Sequence, residues 1–211
     1  TRIITVSMSS DGARVAIGDV SESADMGKVH VFAESKGTWT KVGDTLADYG
    51  NEKYFGYSVS MSSDGTRMAI GNPCWGGCSS NSVRVYTDSD GTWTQVANDI
   101  DGQAGVNDRF GYSVSMSSDG TRVAIGAPRN DGTGAFDAGH VRVFSLSCDA
   151  STAPTNGAVG DCTDVLASGS TCQPTCNSGY IVSGTSSCTA GTLTAATCSL
   201  KPCDASIPPA N

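Results

Sequence analysis

The chain has 211 residues, 21 acidic against 13 basic, and a formal net charge of −8. That balance argues against a nucleic-acid partner, whose phosphates demand clustered Lys and Arg. No apolar run in the sequence approaches the length that spans a bilayer. Of the acids, 18 are Asp and three are Glu; Asp favours turns and Glu favours helices, so the skew predicts an all-β, turn-rich chain.

The first recognisable stretch, Thr5–Gly18, reads TVSMSSDGARVAIG. It returns at Phe55–Pro73 as FGYSVSMSSDGTRMAIGNP and at Phe110–Pro128 as FGYSVSMSSDGTRVAIGAP. The Asp-Gly pairs at 11, 64 and 119 set spacings of 53 and 55 residues, so this is a repeat protein. Within a copy, Val59 and Met61 alternate with serines, as in a strand with one buried face. Asp64-Gly65 reads as a two-residue turn with positive φ. Arg67–Gly71 is a short apolar run suited to a strand buried on both sides. After a variable loop, Val83-Arg84-Val85-Tyr86 alternates again, matching Val29–Phe32 and Val141–Phe144. A tight turn at Ser89-Asp90-Gly91 then leads into Thr92–Val96, the counterpart of Thr38–Val42. Each unit is thus expected to hold four short strands, the pattern of a propeller blade.

The order FG-x-S-V, A-I-G-A-P, a glycine-rich loop and H-V-R-V-F resembles the FG-GAP repeat of integrin-α-like β-propellers, over Thr1 to about Ser147. The resemblance implies two full blades and part of a third over residues 1–147. In that family the loop between the first two strands often carries a calcium-binding D-x-D-x-D-G run. Here it is shortened to Ser-Asp-Gly, with one carboxylate where calcium takes six to eight oxygens. No cofactor is expected, since the family's usual calcium loop is absent; calcium bound at another loop is the alternative. A propeller needs at least four blades. The chain therefore reads as an interior segment of a longer protein, with further blades upstream.

The variable loops hold the candidate ligand residues. In the second unit, Cys74-Trp75-Gly76-Gly77-Cys78 reads as a small disulfide staple, Cys74–Cys78, presenting Trp75; half of a zinc site is the alternative, without a second ligand pair at a helpful spacing. In the third unit, Asn130, Asp131 and Asp137 are candidates for calcium or a sugar, and beside Gly such residues are also ordinary turn formers. The segment Asp99–Asp108 poses the same choice. His30 and His140 fall at different strand positions and form no constellation. No nucleophile, acid–base pair or metal cluster stands out, and an enzyme is not expected.

After Ser147 the composition changes. Lys201 is the one basic residue after Arg142, and cysteines recur at 148, 162, 172, 176, 188 and 198. Nine cysteines without a catalytic-thiol context point to an oxidising compartment. Six cysteines allow 15 pairings, which spacing alone leaves open. Cys148, Pro154, Asn156-Gly157, Cys176-Asn-Ser-Gly179-Tyr180, Gly184, Cys188, Gly191 and Cys198 resemble a sushi (complement-control) module over residues 148–202. That resemblance implies Cys148–Cys188 and Cys176–Cys198, with Cys162–Cys172 as an extra bridge; Leu193 stands where the family usually has a core tryptophan. Cys203-Asp-Ala-Ser repeats Cys148-Asp-Ala-Ser, so 203–211 reads as the start of a second module, with Cys203 bonded to a residue outside this segment.

The combination resembles large secreted repeat proteins of aquatic single-celled organisms. It implies a non-enzymatic extracellular structural or adhesion protein, part of a cell-surface or filamentous assembly such as a surface fibre or flagellar hair. The expected partners are other copies of itself or other extracellular proteins. The alternative is a carbohydrate- or protein-binding propeller that uses the variable loops. Ser/Thr density after Ser147 suits O-linked sugars, and no Asn-x-Ser/Thr sequon is present.

Overall fold

A computed structural model describes residues 2–21, 27–47, 54–73, 81–96, 98–102, 108–131, 136–189 and 191–202. The chain is all-β and divides into two compact units, Thr1–Leu146 and Ser147–Asn211.

The first unit contains three antiparallel sheets, one per repeat. The first runs β1 (Arg2–Met8), β2 (Arg14–Ser21), β3 (Lys28–Ser35) and β4 (Thr38–Lys41) in order, with a short β5 (Leu46–Ala47) also paired to β3. The second repeats this plan with β6 (Ser58–Met61), β7 (Arg67–Asn72), β8 (Ser82–Ser89) and β9 (Thr92–Gln95), and β10 (Ile100–Asp101) pairs with β8. The third has β11 (Ser113–Met116), β12 (Arg122–Ala127) and β13 (His140–Ser145). These meanders are propeller-type blades. The third has three strands rather than four among the described residues.

Two tight connections differ from one another. At Ser89–Thr92 the link is a two-residue hairpin in which Asp90 and Gly91 both take positive φ, 51° and 85°. The Asp64-Gly65 link is wider than the sequence implies. Ser62 N–H donates to the Arg67 carbonyl at 2.9 Å, and only Gly65 is at positive φ, 69°. Asp64 instead receives hydrogen bonds from the Ser62 hydroxyl (2.6 Å) and the Thr66 N–H (3.0 Å). The carboxylate builds the turn with its side chain, as Asp does when it bonds backbone two residues on.

Asp11 and Asp119 repeat this geometry with Ser9 and Ser117. The Ser117 hydroxyl, followed by the Thr121 N–H and hydroxyl, lowers the Asp119 carboxyl from 3.8 to about 2. Asp11 is lowered first by Ser9 and then by the Ala13 N–H. For Asp64 burial pulls upward, and the Ser62 and Thr66 bonds together outweigh it. A depressed folded-state pKa gives stability that is present above the unfolded value and lost as pH falls through the folded one. For Asp119 that window runs from 3.8 down to about 2. Carboxyl NMR titration is expected to show the three turn aspartates titrating below the bulk of the carboxylates, and Ser117→Ala is expected to move Asp119 back towards 3.8.

Two cores hold the three blades together. Ala16, Val29 and Val31 of the first blade pack with Phe55, Val59, Met61, Met68, Ile70, Tyr86 and Trp93 of the second. One repeat on, Ala69, Val83 and Val85 pack with Phe110, Met116, Val123 and Ile125. The first and second blades thus offer a valine face to the next blade, and the second and third offer a Phe/Met face to the previous one. A buried side chain of this size contributes about 1.5–3 kcal/mol, so these interfaces dominate the unit's stability.

The second unit is a set of very short ladders: β14 (Ser147–Cys148) with β16 (Leu166–Ala167), and β15 (Gly157–Ala158) with β18 (Thr175–Cys176). β17 (Thr171–Cys172), β20 (Ser186–Thr189) and β21 (Thr192–Thr194) form a three-stranded sheet, and β19 (Tyr180–Val182) pairs with β22 (Cys198–Leu200). Disulfides join Cys148 to Cys188, Cys162 to Cys172 and Cys176 to Cys198. Its core is Cys148, Ala150, Cys162, Leu166, Cys172 and Cys188, with Val159 and Leu193 packed against it. Half-cystines fill most of the space that large apolar side chains fill elsewhere.

Candidate binding surfaces and the blade interfaces

The repeated motif makes most of its contacts between blades. Phe55-Gly56 and Phe110-Gly111 form a hook at the start of the second and third blades. The phenylalanines are fully buried, and the glycines hold φ of 89° and 87°, which a side chain would strain. The hook lies against the preceding blade, where a methyl at Gly18 would overlap the Gly56 carbonyl and one at Gly71 the Gly111 carbonyl. Thr5 donates its hydroxyl to the Gly56 carbonyl at 2.9 Å, and Ser58 donates to that of Gly111 at 2.7 Å. One pleat along, the Ser7 hydroxyl accepts the Met61 N–H and Ser60 accepts that of Met116, both at 2.9 Å. At the turns, Ser10 N–H donates to the Ser63 carbonyl and Ser63 N–H to that of Ser118, again at 2.9 Å. In the first two blades the hydroxyl residues that alternate with Val and Met therefore face the next blade, not solvent.

Arg14 extends the contact. Its Nη1 donates to the Gly65 carbonyl at 3.1 Å and pairs with Asp88 at 2.6 Å, whose side chain is 4% exposed. Asp88 Oδ1 has no hydrogen-bond partner, so the guanidinium is the charge that balances this buried carboxylate. Leu146 stands at the equivalent place in the third blade, where its N–H donates to Thr121 as that of Asp88 does to Thr66. Arg14→Ala is expected to destabilise the first unit by about 2 kcal/mol, because it leaves a buried charge uncompensated. Arg122→Ala, at an exposed equivalent position, is expected to change little. Denaturant midpoints for the two variants compare them directly.

The sequence-derived ligand residues scatter. Cys74, Trp75 and Cys78 lie outside the described residues, as does Cys203. Asn130 is 3% exposed and its carbonyl accepts the Gly139 N–H at 2.9 Å. Asp131 accepts the backbone N–H of Asp137 at 3.0 Å, and Asp137 itself takes φ of 51°. This loop uses its polar residues to shape its own backbone. Asp99 binds Arg84 Nε through both carboxylate oxygens at 3.0 and 2.9 Å, which fixes Arg84 over the Phe55 ring at 5.6 Å. Arg142 stands over Phe110 at the same distance. Burial, then the Asp99 charge, raises the Asp101 carboxyl. Asp108 is fully buried, with Oδ1 accepting the Phe110 N–H at 3.2 Å.

His30 is half-buried beside Thr45, and burial lowers its pKa first, followed by the charge of Lys41. His140 is half-buried, and its Nε2 is buried without a hydrogen-bond partner. Among the described residues, Asp161, Cys162 and Cys172 form the one group of metal-ligand type, and both cysteines are already bonded to each other. No described helix is long and apolar enough to cross a membrane.

Sequence reasoning missed one surface. A cleft of about 440 Å³ runs across the first strands of all three blades, between Ile3, Thr5, Tyr57, Ser58, Tyr112 and Ser113. The Tyr57 and Tyr112 rings lie 5.2 Å apart. The signal was present in the repeated Phe-Gly-Tyr-Ser, whose tyrosine stands immediately before the first strand of the second and third blades.

Residues 93–144 match the FG-GAP repeat. The match runs from the outer strand of the second blade through the last strand of the third. No curated protein matches the chain. Among solved structures, the tricorn protease aligns at 12% identity with a TM-score of 0.39, over 68% of this chain and 14% of the protease. A structure from a study of two prolyl endopeptidases aligns at 17% identity with a TM-score of 0.38, over 67% of this chain and 20% of its own. The chain thus spans a fifth or less of these proteins, and so distant a likeness says nothing about activity here.

Proposed function

We propose that the protein is a non-enzymatic extracellular structural or adhesion component, in which propeller blades form a node and cysteine-rich modules a stalk. One observation carries this reading: the residues repeated almost unchanged between copies make the contacts between blades. Selection for architecture leaves that pattern. A dedicated ligand site instead makes one blade differ from the others. The three disulfides of the second unit support an oxidising, extracellular setting. The second unit is proposed to be sushi-like on its cysteine order, with tandem copies stringing into a rod and O-linked sugars on its Ser/Thr residues. Assembly into surface fibres or flagellar hairs is the finer form of the proposal. Negative-stain electron microscopy of the protein isolated from its source tests it. Regular fibres with repeating globular nodes are expected; discrete particles with a head and a thin tail would overturn the filament.

A second reading, binding of glycans or proteins, is favoured by the paired tyrosines of the cleft. Neighbouring tyrosine rings, here tilted by 48° to one another, suit sugar faces when set among hydroxyls, because each ring has an apolar face and a polar tip. Specific signal on a glycan array, lost in Tyr112→Ala, supports it; an array without signal counts against it. The variable loop carrying Trp75 is the alternative place for such binding.

A further inference from the structure

The two internal interfaces define what a blade's valine face accepts, and the third blade presents that face uncovered. Val29 and Val31 are 0% and 1% exposed, and Val83 and Val85 are 0% and 3% exposed. Their counterparts Val141 and Val143 are 69% and 66% exposed. The hydrogen-bonding serines follow suit, since Ser113 and Ser115 are exposed where Ser58 and Ser60 bind the next blade. A methyl at Gly126 would meet only Ser113 within its own sheet, whereas Gly18 and Gly71 each sit against a hook carbonyl. Beside Gly126 lies a cleft of about 360 Å³, bordered by Gly139, His140 and Val141, the place that Gly56 and Gly111 fill in the other interfaces.

We propose that this face of the third blade is a docking site for a further blade of the same repeat, entering with a Phe-Gly hook against Gly126 and covering Val141 and Val143. The argument is continuity with an interface the chain already makes twice. The occupant follows from the hook. The first blade exposes Ile4, Val6 and Met8 on its own open face, but Arg2-Ile3 stand where the other blades carry Phe-Gly. The Phe-Gly pairs of this chain are both buried in its internal interfaces. A second copy of the chain therefore brings no free hook, and a complete repeat does. The inference concerns the face alone and holds whether the protein is structural or ligand-binding.

Hydroxyl-radical footprinting of valine side chains tests it. In the 211-residue chain, Val141 and Val143 are expected to be labelled while Val29, Val31, Val83 and Val85 are protected. In a chain carrying a second copy of residues 88–145 between Ser145 and Leu146, Val141 and Val143 of the first copy are expected to lose their labelling, down to the level of Val83 and Val85. Gly126→Val in that longer chain is expected to restore labelling there and leave Val83 and Val85 protected. Continued labelling of Val141 and Val143, with Val83 and Val85 protected, overturns the proposal. Protection in the unextended chain that grows with its concentration assigns the face to a second copy and also overturns it. Should the longer chain misfold, footprinting of the protein isolated from its source decides: labelled Val141 and Val143 overturn the proposal, and their protection supports it.

Discussion

Gly71→Val is expected to destabilise the first unit by about 4 kcal/mol, while Gly126→Val changes it by less than about 1 kcal/mol. The two glycines occupy the same strand position in successive copies, and each faces a serine hydroxyl across its own sheet. What separates them is the next blade. At Gly71 a Cβ would overlap the Gly111 carbonyl, a backbone atom that cannot move without the whole hook. Relieving that overlap also breaks the 2.7 Å bond from Ser58 to the same carbonyl, which adds about 1 kcal/mol. At Gly126 only the Ser113 hydroxyl must turn aside, and valine suits a strand better than glycine does. Gly37→Ala provides a control for backbone strain alone: φ is 79° with open space around it, so a loss of about 1 kcal/mol is expected. Urea unfolding followed by tryptophan fluorescence measures all three, because Trp93 lies in the first interface. A Gly71 variant as stable as the parent would show that the hook does not join the blades.

The comparison separates what a sequence encodes locally from what it encodes only through a neighbour. Strand order, the three copies and the identity of the core residues were legible, because a period of two and a 53–55-residue repeat are written directly in the chain. The role of the serines was not. Alternation assigns them to one face of the strand, and nothing in the alternation says whether water or another sheet covers that face. The Asp64-Gly65 turn misled for a related reason. A dipeptide signals a hairpin, but the flanking Ser62 and Thr66 supply the bonds that widen it. The candidate loop residues Asn130, Asp131 and Asp137 are the kinds that bind ligands and also the kinds that shape loops, and in this loop backbone bonds involve all three. Tyr57 and Tyr112 each stand one residue before a strand, and their pairing depends on how two blades pack, which no period within one copy encodes.

The cysteine-rich unit should respond to reduction very differently from the blades. Replacing Cys148 and Cys188 together by serine is expected to unfold the second unit at room temperature and leave the first one folded. The bridge spans 40 residues, and in the chain-entropy model closing such a loop contributes about 4 kcal/mol. That is comparable to everything a core of this size supplies, since small scaffolds rarely gain more than about 3–5 kcal/mol from apolar burial. Here the substitution also removes two members of the core itself, with Cys188 only 1% exposed. Cys162–Cys172 closes a ten-residue separation and is worth about 3 kcal/mol in the same model, so its removal should weaken the unit without abolishing it. The first unit is held by Phe55, Met68, Ile70, Phe110 and their valine partners, and no described disulfide lies within it. Proteolysis with and without reductant separates the cases: a protected fragment ending near Leu146 is the expected product, and survival of the reduced second unit would mean that its short ladders are self-sufficient.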